Sequence, residues 1–369
     1  MIEVFQAMAG AAIGYWLLGK RLGHQALVWG AILGLAPDVD RLLGFLLSTS
    51  HALFLDAGPT HSLLGIIVAA YGGSFLLSKY WRSLKWSRAQ CAKWIGLTWS
   101  MHIAIELLST NGVALLWPIS MARIAFPCYD HLTCSVVCIP LAWAIAHLII
   151  KGKKLPFHLQ MVFLARGSLF TMGILMFMIS CRAWVSSQSQ QALKQQEISY
   201  SRMLATPLPL SPLIWRVLIE QEDAIHVSYR SVFEGSASPS QWTIYPRQRD
   251  VIETYQKNRE IKSMLHATSN WWIVRPHTKG LFLVDMRSSE ARIWGKRKGM
   301  VDSQMHRSWL FLKDRKKDRL WPMLAAKRCS MEYLNRLLKR TFLGDRSAWE
   351  ANPRLANTPG SLPELLPSR

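Results

Sequence analysis

Long apolar runs crowd the first half of the chain and then stop. They cover roughly 5–19, 25–47, 62–78, 94–117, 134–150 and 161–181. Each is close to the ~20 residues that the hydrocarbon thickness of a bilayer demands of a helix. Charge follows the same division. Residues 1–180 hold 13 Lys or Arg and 6 Asp or Glu, whereas residues 181–369 hold 31 and 17 and carry +14 of the total +21. The pattern predicts a mainly α membrane protein, a helical bundle of about six spans followed by an α+β soluble domain. The expected divisions are a membrane domain at 1–181, a linker at 182–212, the soluble domain at 213–350 and a disordered tail at 351–369. The fourth run is interrupted at Asn111–Gly112, which suits a re-entrant second half. In the soluble part, Ile214–Ile219, His226–Phe233, Trp271–Arg275 and Leu281–Met286 read as strands. Residues 250–265 and 320–342 have helical periodicity, and the proline-rich Thr206–Pro212 reads as an entry segment.

Basic residues orient the set. Lys20 and Arg21, then Lys79, Arg82, Lys85, Arg88 and Lys93, then Lys151, Lys153 and Lys154 fill alternate connections. The intervening 48–61 and 118–133 segments hold Arg123 and no other Lys or Arg. Positive connections stay cytoplasmic, so these two segments face outward and the sixth run delivers the C-terminal domain to the outer side. In a bacterium that describes a multi-pass inner-membrane protein with a periplasmic domain. Glu3 precedes the first run and the basic pair follows it, the reverse of a cleavable signal. A cationic domain beside a bilayer is drawn to anionic headgroups, so the expected partner is the lipid bilayer rather than nucleic acid. Lys296–Lys298 and Arg315–Lys317 read as solvated surface, and GKRKG at 295–299 lacks the spacing of a phosphate-binding loop. No GxSxG of a serine hydrolase, no CxxC pair and no internal repeat of a transporter is evident. The six cysteines read as small buried residues, with Cys128, Cys134 and Cys138 as the minor metal-binding alternative.

Against this background, Asp38, Asp40, Asp56, His61, His102 and Glu106 stand out, with Asp130 in the next outer connection. A carboxylate in hydrocarbon is costly and is rarely retained without a partner or a role. Asp38 and Asp40 follow Pro37, which opens the helix backbone and lets both acids face one cavity. The blander reading has them cap a broken helix, neutralised by Arg41. His102 and Glu106 are four residues apart, on one helix face, and can ligate one cation. Taken alone, that pair is also what a buried hydrogen bond looks like, and a lone His61 suits an interface. Every member, however, falls on the outward side, which points to one site. Asp38, Asp40, His61, His102 and Glu106 are the candidate ligands of a divalent metal ion, Zn²⁺ foremost. Asp40, Asp56 and Glu106 are the candidate catalytic carboxylates.

In order along the chain, Gln6–Gly14, Gly19–Gly23, Ala36–Asp40, Gly58–Leu63, His102–Glu106 and Thr110–Phe126 carry a resemblance to a family. They resemble the inner-membrane metal-dependent hydrolases of the YdjM type, particularly the longer members with a C-terminal soluble domain. The resemblance covers about 2–150 and extends loosely over 200–290 through Thr206–Trp215, Ser228–Val232 and Val284–Arg287. It implies a His/Asp site similar to that of zinc-dependent phospholipases C and related phosphodiester-cleaving nucleases, where metal ions activate water. By that resemblance Asp38, Asp40, His61 and His102 match directly. Asp56 and Ala57 stand where His and Arg are usual, Glu106 stands for Asp, and Gln6 stands where many relatives have His. These changes keep metal binding feasible while altering ligand reach and hardness. The implied function is a membrane-bound hydrolase of a phosphoester or lipid-linked substrate at the outer face. The alternative is a non-catalytic scaffold with a degenerate metal site and a protein partner left open.

Overall fold

A computed structural model describes residues 2–41, 58–80, 86–237, 242–255, 257–277, 280–287, 308–312, 319–323 and 331–344. The chain divides into two compact units, Met1–Pro127 with His131–Met178, and Cys128–Asp130 with Ile179–Arg369.

The first unit is helical. Its helices are α1 (Ile2–Leu22), α2 (Gln25–Leu35), α3 (Leu63–Tyr80), α4 (Arg88–Leu107), α5 (His131–Val137), α6 (Ile139–Lys151) and the start of α7 (Phe157–Gln195). α1 and α2 form a hairpin turned at Gly23, whose φ of 54° suits glycine. The two helices touch backbone to backbone along Gly10 and Gly14 on one side and Gly30 and Gly34 on the other. A Cβ at Gly10 would lie 2.3 Å from the Gly30 carbonyl oxygen, and one at Gly34 would lie 2.5 Å from that of Gln6. Four-residue spacing of small residues is what permits so close a helix pair in an apolar medium. α2 ends at Leu35 because Pro37 follows, and the chain tightens into a single 3₁₀ turn, Ala36–Asp38. A capping box opens α4: the Gln90 amide N–H donates to Ser87 Oγ (3.2 Å) and the Ser87 N–H to Gln90 Oε1 (2.9 Å).

Two of the described helices, α1 and α7, are long and apolar enough to cross a membrane, where the sequence led us to expect about six. The reasons are local. Pro37 stops α2 after 11 residues. α4 carries Arg88, Lys93, His102 and Glu106 along its 20 residues. The third and fifth runs give only the shorter apolar stretches Leu63–Leu76 and Ile139–Lys151. Beyond Leu107 the fourth run is not helical. Val113 and Ile124 exchange backbone hydrogen bonds (3.0 and 2.9 Å), the Phe126 N–H donates to Leu107 O (2.7 Å), and the Leu63 N–H donates to Leu115 O (3.0 Å). Residues 108–126 thus fold as a looped hairpin against the adjoining ends of α3 and α4, with Val113 buried on Ile103.

The second unit holds two antiparallel four-stranded sheets. The first runs β1 (Arg202–Leu208), β2 (Ser211–Gln221), β3 (Ala224–Ser231), β4 (Thr243–Pro246), each strand beside the next. The second runs β5 (Trp272–His277), β6 (Gly280–Asp285), β7 (Ser308–Leu312), β8 (Arg319–Met323) in the same manner. β2 shows the two-residue period of a strand covered on both faces. Ile214 and Leu218 join Ile225, Val227, Ile273, Val284 and Met286 in a core shared by both sheets. Trp215 and Val217 pack instead with Cys181 and Val185 of α7. The helix therefore continues through 182–195, and β1 begins at Arg202, in the stretch expected to be linker. The four strands expected from sequence are present as β2, β3, β5 and β6, while β1, β4, β7 and β8 escaped it. Residues 250–265 fall on two helices, α8 (Arg249–Glu253) and α9 (Arg259–Ala267). The helix expected over 320–342 is α10 (Met331–Leu343), with β8 occupying the start of that range. The tail at 351–369 and Asp56 lie outside the described residues.

Candidate metal centre

Four side chains converge where α2, α3 and α4 end or begin. Asp38 closes the 3₁₀ turn after α2, His61 closes a second 3₁₀ turn (Pro59–His61) that leads into α3, and His102 and Glu106 occupy the last two turns of α4. One ligand atom from each lies within 4.8 Å of all the others. His61, His102 and Glu106 are buried, and the Asp38 side chain is 14% exposed. His61 Nε2 is 3.0 Å from His102 Nε2, 2.8 Å from Glu106 Oε2 and 3.6 Å from Asp38 Oδ1. His102 Nε2 is 3.8 Å from both of those carboxylate oxygens.

The partners behind the two rings decide which nitrogens carry protons. His102 Nδ1 lies 2.7 Å from the carbonyl oxygen of Gly34, which can only accept, so that nitrogen donates. His61 Nδ1 lies 3.2 Å from Asp40 Oδ2 and donates to it in the same way. Asp40 is itself fixed, accepting from Thr60 Oγ1 and, at 2.7 Å, from the Arg41 backbone N–H. The Trp99 indole N–H in turn holds Thr60 through its carbonyl oxygen (2.7 Å). With Nδ1 of each ring donating, His102 Nε2 is left as an acceptor that faces the Gln6 amide N–H and, at 3.0 Å, His61 Nε2. His61 Nε2 is held against Glu106 Oε2 at 2.8 Å, a contact that a second proton on the ring or a shared cation satisfies. Both oxygens of Asp38 lack a hydrogen-bond partner. Gln6 Nε2 stands 3.1 Å from His102 Nε2, and Gln6 Oε1 is buried without a hydrogen bond.

Asp38, His61, His102 and Glu106 face one point and form a group that can hold a cation. Nitrogens bound to one Zn²⁺ at ~2.0–2.1 Å in tetrahedral geometry stand roughly 3.3 Å apart, within a few tenths of what is seen here. Two imidazoles and two carboxylates make a donor set suited to zinc and neighbouring transition metals. The imidazole N–H groups held by Asp40 and Gly34 are the outer partners that metal-binding histidines regularly have. The residues therefore fit a divalent ion.

The placement of the expected residues is uneven. Asp38, His61, His102 and Glu106 come together. Asp40 stands behind His61, Asp56 lies outside the described residues, and Asp130 belongs to the second unit. Two contributors had no visible signal: the Gly34 carbonyl, which is backbone, and Thr60, an ordinary polar residue until the fold sets it against Asp40.

Arg41 is the cation already present. Its Nη2 donates to Glu106 Oε1, and its Nη1 lies 3.0 Å from Asp38 Oδ1 and 3.9 Å from Glu3 Oε1. Residues 1–189 match the family described as YdjM inner membrane protein. No curated protein and no solved structure matches the chain.

Proposed function

Because the chain belongs to the YdjM inner membrane protein family, we propose that it is a membrane-bound metal-dependent hydrolase. Its substrate class is a phosphoester or lipid-linked molecule met at the outer face of the inner membrane. The observation that carries this reading is the convergence of Asp38, His61, His102 and Glu106, with one ligand atom of each within 4.8 Å of all the others. Asp38, His61, His102 and Glu106 would hold the ion, with Zn²⁺ first by donor type. When bound, such an ion supplies Lewis acidity and lowers the pKa of water.

The chain's own groups divide the remaining work. Asp40 orients His61, and the Gly34 carbonyl orients His102, so neither ring can turn its lone pair away. Asp40 is engaged by three donors, whereas both oxygens of Asp38 lack hydrogen bonds. That assigns Asp40 to positioning His61 rather than to accepting a proton from water. Burial of the two rings and Glu106 excludes bulk solvent and strengthens every charge interaction nearby.

The outward placement rests on helix ends. Lys20 and Arg21 close α1, Lys79 is near the end of α3, Arg88 and Lys93 are near the start of α4, and Lys151 closes α6. A Cβ at Gly152 would meet the His24 ring at 2.8 Å, so the connections after α1 and after α6 adjoin. The ligands sit at the opposite ends of α2, α3 and α4. If the basic ends are cytoplasmic, the site faces out. α7 starts beside the basic 151–154 connection and its far end leads to the second unit, making that unit periplasmic. Reporter fusions should read cytoplasmic at Lys85 and periplasmic at Ser240; a cytoplasmic signal at Ser240 would reverse the assignment of the second unit.

The function itself is tested on detergent-purified, full-length protein. Hydrolysis of a lipid phosphodiester should stop on chelation and return with added Zn²⁺ or Mn²⁺. Arg41 favours a second reading, a scaffold whose site has lost turnover, since its guanidinium already serves both ligand carboxylates. Stoichiometric metal without hydrolysis of any phosphoester offered would select that reading.

A further inference from the structure

We infer that Arg41 sets the specificity of this site: it holds Asp38 and Glu106 in the absence of an ion and turns to an incoming phosphate or phosphoester once an ion takes those oxygens. The inference rests on the metal reading above and adds a role for a residue that reading does not use.

The guanidinium bridges the two ligand carboxylates, through a hydrogen bond to Glu106 and a 3.0 Å charge contact with Asp38. Its side chain is 19% exposed, against 14% for Asp38 and 0% for Glu106 and His61, so it joins the buried donors to the accessible surface. Charge points the same way. Counted as ionised, Asp38, Asp40 and Glu106 contribute three negative charges, with Glu3 a fourth, half-exposed carboxylate 3.9 Å from Arg41. A divalent ion alone leaves the loaded site negative and repels an anionic substrate. Arg41 offsets one further negative charge and offers a planar fork matched to two phosphate oxygens. The same positive charge, set beside the ion's oxygens, opposes metal binding. Arg41 therefore exchanges metal affinity for anion affinity.

The two effects are separable in Arg41→Gln and Arg41→Lys variants of the full-length protein, titrated calorimetrically with Zn²⁺ and then, metal-loaded, with inorganic phosphate. Arg41→Gln should bind Zn²⁺ about tenfold tighter or more and phosphate about tenfold weaker or more. Arg41→Lys should keep near wild-type metal affinity, because the charge remains, and lose part of the phosphate affinity, because the fork does not. Unchanged or weaker Zn²⁺ binding in a folded, monodisperse Arg41→Gln protein overturns the inference, as does undiminished phosphate binding in either variant. Should Arg41→Gln fail to fold, the phosphate titration of Arg41→Lys decides. Zn²⁺ uptake by Arg41→Gln but not by the wild type upholds the inference and defeats the hydrolase reading instead. No uptake by any of the three proteins defeats both.

Discussion

Full-length protein carrying His61→Ala and His102→Ala together should contain less than a tenth of the metal bound by the wild type after identical purification. The two rings supply both nitrogen donors of the cluster, and their removal leaves Asp38 and Glu106, which Arg41 already serves. Weaker versions of the same loss should come from behind the rings. Asp40→Asn removes the charge that His61 Nδ1 donates to, and partners in this position are worth roughly 10–100-fold in metal affinity. The double variant should still insert, since alanine partitions into the bilayer more readily than histidine. Each lost imidazole also takes a donor from a buried acceptor, the Gly34 carbonyl or Asp40, which keeps Thr60 and the Arg41 N–H, so the metal-free protein should lose about 1 kcal/mol per site. Elemental analysis and thermal unfolding in detergent separate the two consequences. Full metal content in the double variant would remove this cluster from consideration as a metal centre.

An equally large effect is expected from a change that touches no ligand side chain. A Cβ at Gly34 would lie 2.5 Å from the Gln6 carbonyl oxygen and 3.1 Å from the Gly10 Cα. Both obstacles are backbone and cannot yield by changing rotamer. Gly34→Ala must therefore part α1 from α2, losing contacts along the whole hairpin. Overpacking of this kind costs about 3 kcal/mol or more where the neighbours cannot relax. The same residue's carbonyl accepts from His102 Nδ1 at 2.7 Å, so its displacement also lets that ring turn. Lower stability and at least about tenfold weaker metal binding should appear together. Gly173→Ala on α7 is the matched control, because a Cβ there meets nothing within 4 Å. Equal behaviour of the two variants would show that the hairpin tolerates separation.

Apolar length in the sequence marked where helices lie in the first unit but overstated how many can span. A run such as 25–47 counts as one element until Pro37 divides it, and 94–117 hides the change from α4 to a looped hairpin at Leu107. The four side chains that converge were legible because Asp, His and Glu are conspicuous among apolar neighbours. Their division into ligands and supports was not, because Asp38 and Asp40 differ only in the direction they take from one tight turn. The Gly34 carbonyl leaves no trace in a sequence at all. In the second unit, alternation revealed the strands with dense β-branched residues. β1 was obscured by Pro207, where its register against β2 shifts, and β8 by Pro322.

Prolines in those sheets are placed with a regularity that bears on how the second unit behaves among other proteins. β1 and β4 are the outer strands of the first sheet, β5 and β8 those of the second. Pro207, Pro246, Pro276 and Pro322 put one proline on each. An open strand edge is a template for a foreign chain, and proline takes away an N–H that the newcomer would need. Each outer strand thus carries an interruption against growth, and on β5 the Val274 N–H is already taken by the Arg247 carbonyl (3.3 Å). A crowded compartment would punish the lack of that interruption with fibrils, and partners seeking this unit must use side chains rather than strand addition.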